Sequence, residues 1–228
     1  MFRTLTLNFV AVLSFAAALT IANDRTAQAV SVPGVTFTNT DYTFDSGFYS
    51  LGYEFTPNTN IYVTALGYYD RGGNGLAGPS QVGIFNQATT LLVSGASVTV
   101  PTGTGGTLVG NGPEGFYRYQ TLTTPVLLTA GTTYRIAGET GSQTNYYAYQ
   151  NYVGLAANPN ITIGNGYYGS GSLTYPSNPS TYMGGQIFAG GNFLFEVPVP
   201  APEPSSAMLL FGGASVLAMV RRRNRTRS

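Results

Sequence analysis

The sequence predicts an all-β fold, and more specifically a single antiparallel β-sandwich of jelly-roll type. Between residues 30 and 197, no stretch has helical periodicity with capping residues. Short runs of β-branched and aromatic residues instead alternate with Gly, Pro, Asn and Asp, which is typical of strands joined by turns. Roughly eight to ten such runs fit into this length, a spacing that favours a sandwich or jelly roll.

The predicted strands follow one another along the chain with turn residues between them. Residues 50–56 alternate so that Leu51, Tyr53 and Phe55 share one face. Ala130 and Gly131 form a tight turn before the strand at 132–138. The other predicted strands are 60–69, a hairpin of 81–86 with 90–100, 116–122, 125–129 and 192–197. Residues 140–190 are expected to form long loops and weak strands.

A single hydrophobic core is expected, because a chain of this length buries about 70% of its extended surface. The candidate core residues are the apolar and aromatic members of the predicted strands. They are Leu51, Phe55, Val63, Leu66, Val82, Ile84, Leu122, Leu127, Tyr134, Ile136, Phe193 and Phe195.

The composition excludes several kinds of chemistry. The chain has no His, Cys or Lys, and charged residues make up only 8% of it. Catalytic triads, thiolate or imidazole metal sites, disulfides and Schiff-base chemistry are therefore excluded. Residues 30–197 hold three arginines against seven carboxylates, a net charge of −4. Because this region has no basic stripe to bind phosphates, we expect no nucleic-acid partner.

Residues 1–29 have the pattern of a secretory signal peptide. Arg3 precedes an apolar run over residues 9–21, and Ala27 and Ala29 supply the small residues that signal peptidase requires. A retained anchor helix is the alternative, but the run is short for a membrane span. We expect cleavage after Ala29 and export of the mature chain.

Three features follow one another at the C-terminal end. Proline stands at every second position from 198 to 204, which predicts an exposed polyproline-like stalk. Residues 205–220 carry no charge and predict a membrane helix of about 24 Å. Residues 221–228 hold five arginines, which are expected to stay in the cytoplasm and stop membrane transfer. They are Arg221, Arg222, Arg223, Arg225 and Arg227.

The order of Pro202, Glu203 and Pro204, then an apolar helix, then an arginine cluster resembles the PEP-CTERM sorting signal. The resemblance implies a substrate of an exosortase, a membrane-embedded processing enzyme associated with exopolysaccharide production. It further implies anchoring in the inner membrane until processing near these three residues. The processed protein would then reside at the cell surface or in the extracellular matrix of a biofilm.

Two stretches of the body are similar to DUF4082, a domain of unknown function in bacterial surface proteins. They are 65–85 (ALGYYDRGGNGLAGPSQVGIF) and 121–138 (TLTTPVLLTAGTTYRIAG). This resemblance implies a β-sandwich but no activity. The expected segments are a signal peptide (1–29), a sandwich ectodomain (30–197), a proline-rich stalk (198–204), a transmembrane helix (205–220) and an arginine-rich tail (221–228).

Asp70 and Asn74 are candidate metal ligands. Asp70 at the first position of the loop, Asn74 at the fifth and Gly75 at the sixth match a calcium-binding pattern. Two positions depart from it, because Gly72 offers no side-chain oxygen and Gln81 stands where such loops carry Glu. The alternative is a glycine-rich turn between strands. Calcium is the single cofactor that the sequence suggests.

Tyr147 and Tyr149 are candidate glycan-binding residues. Strand alternation places them on one face, with Tyr146 and Tyr152 on the other. Aromatic rings stack on the C–H faces of sugars, and neighbouring amides can bind sugar hydroxyls. The alternative is that these tyrosines simply suit a half-buried strand.

No residue pattern marks a catalytic site. Asp41 and Asp45 could share a face, but a glycosidase needs two carboxylates at a set separation on either side of the bond. We therefore expect the protein not to be an enzyme. The function we expect is structural or adhesive and linked to exopolysaccharide. The alternative is a carbohydrate-binding module that recognises a matrix polysaccharide.

Overall fold

The computed structural model describes residues 30–141, 145–180 and 186–198. The predicted signal peptide, the membrane helix, the arginine-rich tail and all of the stalk except Pro198 lie outside these residues. Within the part of the chain that is described, no helix is long and apolar enough to cross a membrane.

The described residues form an all-β structure, as the sequence predicts. A short 3₁₀ helix, Arg71–Gly73, is the one helical element among them. The strands are β1 (Val32–Pro33), β2 (Val35–Thr36), β3 (Tyr42–Phe44), β4 (Tyr49–Pro57), β5 (Ile61–Tyr69), β6 (Ser80–Asn86), β7 (Leu92–Val100), β8 (Thr107–Asn111), β9 (Gly115–Leu128), β10 (Tyr134–Glu139), β11 (Tyr147–Gln150), β12 (Ala156–Ala157), β13 (Ile161–Ser170), β14 (Asn178–Pro179) and β15 (Gly191–Glu196).

Two larger antiparallel sheets hold most of these strands. The five-stranded sheet has the order β1-β15-β5-β9-β8, and the six-stranded sheet has the order β14-β13-β4-β10-β6-β7. Two small sheets pair β11 with β3 and β12 with β2. The predicted hairpin is confirmed, because β6 pairs directly with β7.

The core contains side chains from both larger sheets. The rings of Phe55 on β4 and Phe193 on β15 lie 4.6 Å apart, centroid to centroid. The hydroxyl of Tyr53 donates to Asn192 Oδ1 over 3.1 Å, so a polar contact also joins the two sheets. Eleven of the twelve predicted core residues are buried.

The exception is Leu127, whose predicted burial is wrong, since 47% of its surface is exposed. The sequence predicts two strands here, 116–122 and 125–129, whereas β9 is one continuous strand with a bulge. Val63 pairs with Val126, and Ala65 pairs with Thr121. Two residues along β5 therefore correspond to five residues along β9. Leu128 then packs inward, and Leu127 faces out beside Tyr62.

The expectation of loops and weak strands over 140–190 is also wrong in part. β13 is ten residues long and pairs with β4 along most of its length. The residue pattern does not predict β13 as a strong strand, because it contains glycines and glycine weakens a strand. Gly166 is there because a Cβ at this position would lie 2.4 Å from the carbonyl oxygen of Gln186.

Candidate functional site

An open aromatic groove lies where the small β3–β11 sheet meets the six-stranded sheet. Its volume is about 330 Å³. Six of its seven lining side chains are aromatic, and the seventh is leucine. They are Phe44, Tyr49, Leu51, Tyr147, Tyr149, Tyr168 and Phe188. We refer to this feature as the aromatic groove.

One wall of the groove is built by the β3–β11 pair. Tyr147 stands directly opposite Phe44 in the register, and their ring centroids are 5.9 Å apart. Tyr149, two residues further on, lies on the same side, with its centroid 5.2 Å from that of Phe44. The alternating residues Ala148 and Gln150 are buried, so the other face of the pair is packed against the protein.

Phe188 connects this wall with the six-stranded sheet. Its ring centroid is 6.2 Å from those of both Tyr149 and Tyr168. The neighbouring Ala189 donates its backbone N–H to the Ala148 carbonyl over 2.7 Å, which fixes the segment beside β11. The aromatic rings are therefore held in place by backbone hydrogen bonds.

The floor of the groove belongs to β4 and β13. Leu51 is buried and pairs in register with Tyr168. The rings at the rim remain open to solvent, since Phe44 is 38% exposed and Tyr168 is 37% exposed. A ligand that covered these two rings would remove apolar surface from water.

The groove is lined by uncharged side chains, and the pKa of Tyr147 among them is raised. Burial, followed by the proximity of Tyr49, Tyr149 and Asp45, raises the pKa of Tyr147 to about 12. At physiological pH its hydroxyl therefore stays protonated and can act as a hydrogen-bond donor. None of the seven lining residues carries a formal charge.

Tyr146 and Tyr152 lie away from the groove, as strand alternation predicts. The Arg71 guanidinium lies 4.9 Å from the centre of the Tyr146 ring. The Tyr152 ring packs against Phe37 at a centroid distance of 5.0 Å, and its hydroxyl donates to the Ile187 carbonyl. These two tyrosines thus have structural partners of their own.

Three of the aromatic groove residues have no signal in the local sequence. Alternation around β11 identifies Tyr147 and Tyr149, but Phe44, Tyr168 and Phe188 come from distant parts of the chain. The pairing of β11 with β3, the pairing of β13 with β4 and the Ala148–Ala189 bridge bring them together. Long-range pairing of this kind cannot be read from residue spacing.

The loop that carries Asp70 borders a second, more polar cavity of about 530 Å³. Asp70 is buried and forms an ion pair with Arg118 at 2.6 Å. Both of its carboxylate oxygens also accept from the backbone N–H of Gly75, at 2.9 and 3.1 Å. Arg118 in turn donates to the carbonyl of Gly73 over 3.0 Å. The Arg118 guanidinium therefore bridges Asp70 and Gly73 and stabilises the loop between them.

These contacts bear on the calcium prediction for Asp70 and Asn74. Asn74 is exposed, while the Asp70 carboxylate is occupied by a cationic side chain and a backbone donor. In the described part of the chain, no group of three or more Asp, Glu, His or Cys side chains could hold a metal ion. Calcium binding by Asp70 and Asn74 stays a prediction.

The fold and the C-terminal sequence together define an exported all-β protein that carries a sorting signal. Residues 200–224 match the PEP-CTERM protein-sorting motif, which implies export and processing by an exosortase. Residues 33–186 match the family described as Domain of unknown function (DUF4082), and the chain belongs to this family. Both resemblances noted in the sequence are thereby confirmed. No curated protein matches the chain.

Proposed function

We propose that this protein has a structural and adhesive role in an exopolysaccharide matrix, and that it adheres by binding matrix polysaccharide through the aromatic groove. The sorting motif supports delivery to the place where such a matrix is assembled. The groove supports a binding role, because six aromatic side chains line it and it is open to solvent.

The observation that carries the proposal is the contact between rings from separate strands around one opening. Phe44, Tyr149 and Phe188 form a continuous series with centroid distances of 5.2 and 6.2 Å. A cluster of exposed apolar rings is typical of a binding site, because contact of apolar surface with water is unfavourable and a ligand that covers the rings removes that contact. Sugar rings present C–H faces of matching size, and tyrosine hydroxyls can bond to sugar hydroxyls.

We propose that the segments that follow the ectodomain anchor it in the membrane and then allow its release. Residues 30–197 would fold as one sandwich outside the inner membrane. Residues 205–220 would anchor it there, with Arg221 and the following arginines on the cytoplasmic side. Processing near Pro202, Glu203 and Pro204 would then release the ectodomain to the cell surface or the matrix.

Glycan binding is tested with the purified full-length protein on a polysaccharide array, followed by titration calorimetry with any polymer that binds. Tyr147→Ala and Tyr149→Ala are each expected to weaken binding about tenfold, because losing one stacking ring costs about 1.5 kcal/mol. Tyr147→Phe keeps the ring and is expected to retain most of the affinity.

The matched control is Tyr62→Ala, which removes a solvent-exposed tyrosine from β5 of the other large sheet. Its affinity should equal that of the unaltered protein. Circular dichroism confirms that each variant is folded. If no polysaccharide binds, or if Tyr62→Ala weakens binding as much as Tyr147→Ala, the groove is not a glycan site.

Sorting is tested by intact-mass analysis of protein from the native host. The unaltered protein is expected to begin at Val30 and to have lost residues 205–228. Replacing Pro202, Glu203 and Pro204 with alanine should leave the C-terminal segment attached, because the processing enzyme no longer recognises its motif. Pro198→Ala, in the same stalk but outside the matched motif, should be processed normally. Equal masses for the motif variant and the unaltered protein would contradict processing at this signal.

A further inference from the structure

We infer that the aromatic groove selects polysaccharides that carry free ammonium groups, that is, polymers of amino sugars without N-acetylation, over neutral and acidic ones. This inference rests on the proposed function and adds to it the charge of the ligand. It follows from the distribution of charged side chains over the described residues and from the chemistry of the ring faces.

Every arginine among the described residues is already paired with a carboxylate. Arg71 contacts Glu114 at 3.0 Å, and Arg135 contacts Glu54 at 3.1 Å. The third arginine is the partner of Asp70 described above. No arginine of the described surface is thus left to bind the carboxylates or sulfates of an acidic polysaccharide.

Four carboxylates of the described residues have no arginine partner: Asp41, Asp45, Glu139 and Glu196. Two of these four flank β3, a strand that lines the groove. Asp41 and Asp45 are exposed and stand at the two ends of β3. Glu139 lies on β10, which contributes no lining residue, and pairs in register with Ser50, whose side chain alternates with those of the lining residues. The exposed uncompensated charge nearest the groove is therefore that of the two residues that flank β3.

Asp45 is the carboxylate best placed to act on a ligand. It directly follows Phe44, whose ring contacts those of Tyr147 and Tyr149. It is also close enough to Tyr147 to contribute to the raised pKa of that hydroxyl. A cation bound against these rings would be attracted by the negative charge of the Asp45 carboxylate.

The ring faces themselves favour a cation. The face of an aromatic ring carries partial negative charge, and ammonium groups bind between several such faces. This chain uses the same contact internally, because the Arg135 guanidinium lies 3.4 Å from the centre of the Tyr167 ring and 4.8 Å from that of Tyr175. The aromatic groove offers a comparable set of ring faces at its opening.

The test compares three oligosaccharides of equal length with the full-length protein: a glucosamine oligomer, its N-acetylated form and a uronic-acid oligomer. We expect the glucosamine oligomer to bind at least fivefold more tightly than the N-acetylated one, and the uronic-acid oligomer to bind most weakly. Raising the salt concentration should reduce the first difference, because salt screens exposed charges.

Asp45→Asn should weaken binding of the glucosamine oligomer about fivefold and leave the N-acetylated oligomer unchanged. Glu196→Gln is the matched control, since it removes one uncompensated carboxylate from β15 outside the groove, and it should change neither affinity. Equal binding of the ammonium and acetylated oligomers, with no effect of Asp45→Asn, would overturn this inference and leave the proposed function intact. Binding of none of the three, together with an empty polysaccharide array, would contradict both.

Discussion

The buried tyrosine hydroxyls of this protein differ in whether they have a hydrogen-bond partner. Tyr53 donates to Asn192 and Tyr69 donates to Glu114, each over 3.1 Å. The hydroxyls of Tyr68 and Tyr117 are buried without a partner among the described residues. A buried hydroxyl without a partner has lost its bonds to water and gained none in return, which costs free energy of folding. The effect of removing a hydroxyl should therefore depend on the position.

Tyr117→Phe is expected to leave the free energy of unfolding unchanged or to raise it by about 1 kcal/mol, because it removes only an unsatisfied polar atom. Its ring contacts with Phe37, Tyr69 and Tyr119 remain. Urea unfolding monitored by circular dichroism measures the change.

The control at the same scale is Tyr53→Phe, which deletes a hydroxyl with a partner and leaves Asn192 short of one donor. This variant is expected to lower the free energy of unfolding by about 1 kcal/mol. Equal effects of the two substitutions would show that the Tyr117 hydroxyl is as well satisfied as that of Tyr53.

At the scale of the strand, the regular elements could be predicted from the sequence because their alternation is local. β4, β5, β6 and β15 each carry inward-facing apolar residues at every second position, and turn residues bound them. β13 could not be predicted, because glycine weakens a strand pattern and Gly166 is required by the passage of Gln186 and its neighbours, a contact distant in sequence. The position of Leu127 could not be predicted either, because the bulge in β9 is set by its pairing with β5.

The candidate site shows the same division between local and distant information. The shared face of Tyr147 and Tyr149 follows from strand alternation alone. The contribution of Phe44 depends on which strand pairs with β11, and that of Phe188 depends on a single bridge. The sequence therefore predicts the shared face of Tyr147 and Tyr149, and only the tertiary structure brings Phe44, Phe188 and the floor of the groove together with it.

At the scale of the whole molecule, the composition makes the response to alkaline pH unusually simple to interpret. The chain has no Lys, Cys or His, so tyrosines are the only side chains that titrate between about pH 7 and pH 12. Among the described residues, five tyrosines are at most 2% exposed, and burial raises their pKa values well above 10. They are Tyr53, Tyr68, Tyr69, Tyr117 and Tyr119.

The protein is expected to unfold cooperatively within about one to two pH units above pH 10. Below the pKa of an unfolded tyrosine, about 10, both states are protonated and stability is unaffected. Above it the unfolded chain releases these protons and the folded chain retains them, so each buried tyrosine costs about 1.4 kcal/mol per pH unit. Five such groups together cost about 7 kcal/mol per pH unit, against a typical stability of 5–15 kcal/mol.

Phenolate absorbance and circular dichroism, recorded together during an alkaline titration, measure this coupling. The buried phenols should ionise in the same step in which the secondary structure is lost, after the exposed tyrosines have titrated near pH 10. Tyr117→Phe removes one of the five coupled protons, so its transition should be less steep and lie at higher pH. If all phenols ionised gradually near pH 10 while the β-structure persisted, the tyrosines assigned to the core would instead be in contact with water.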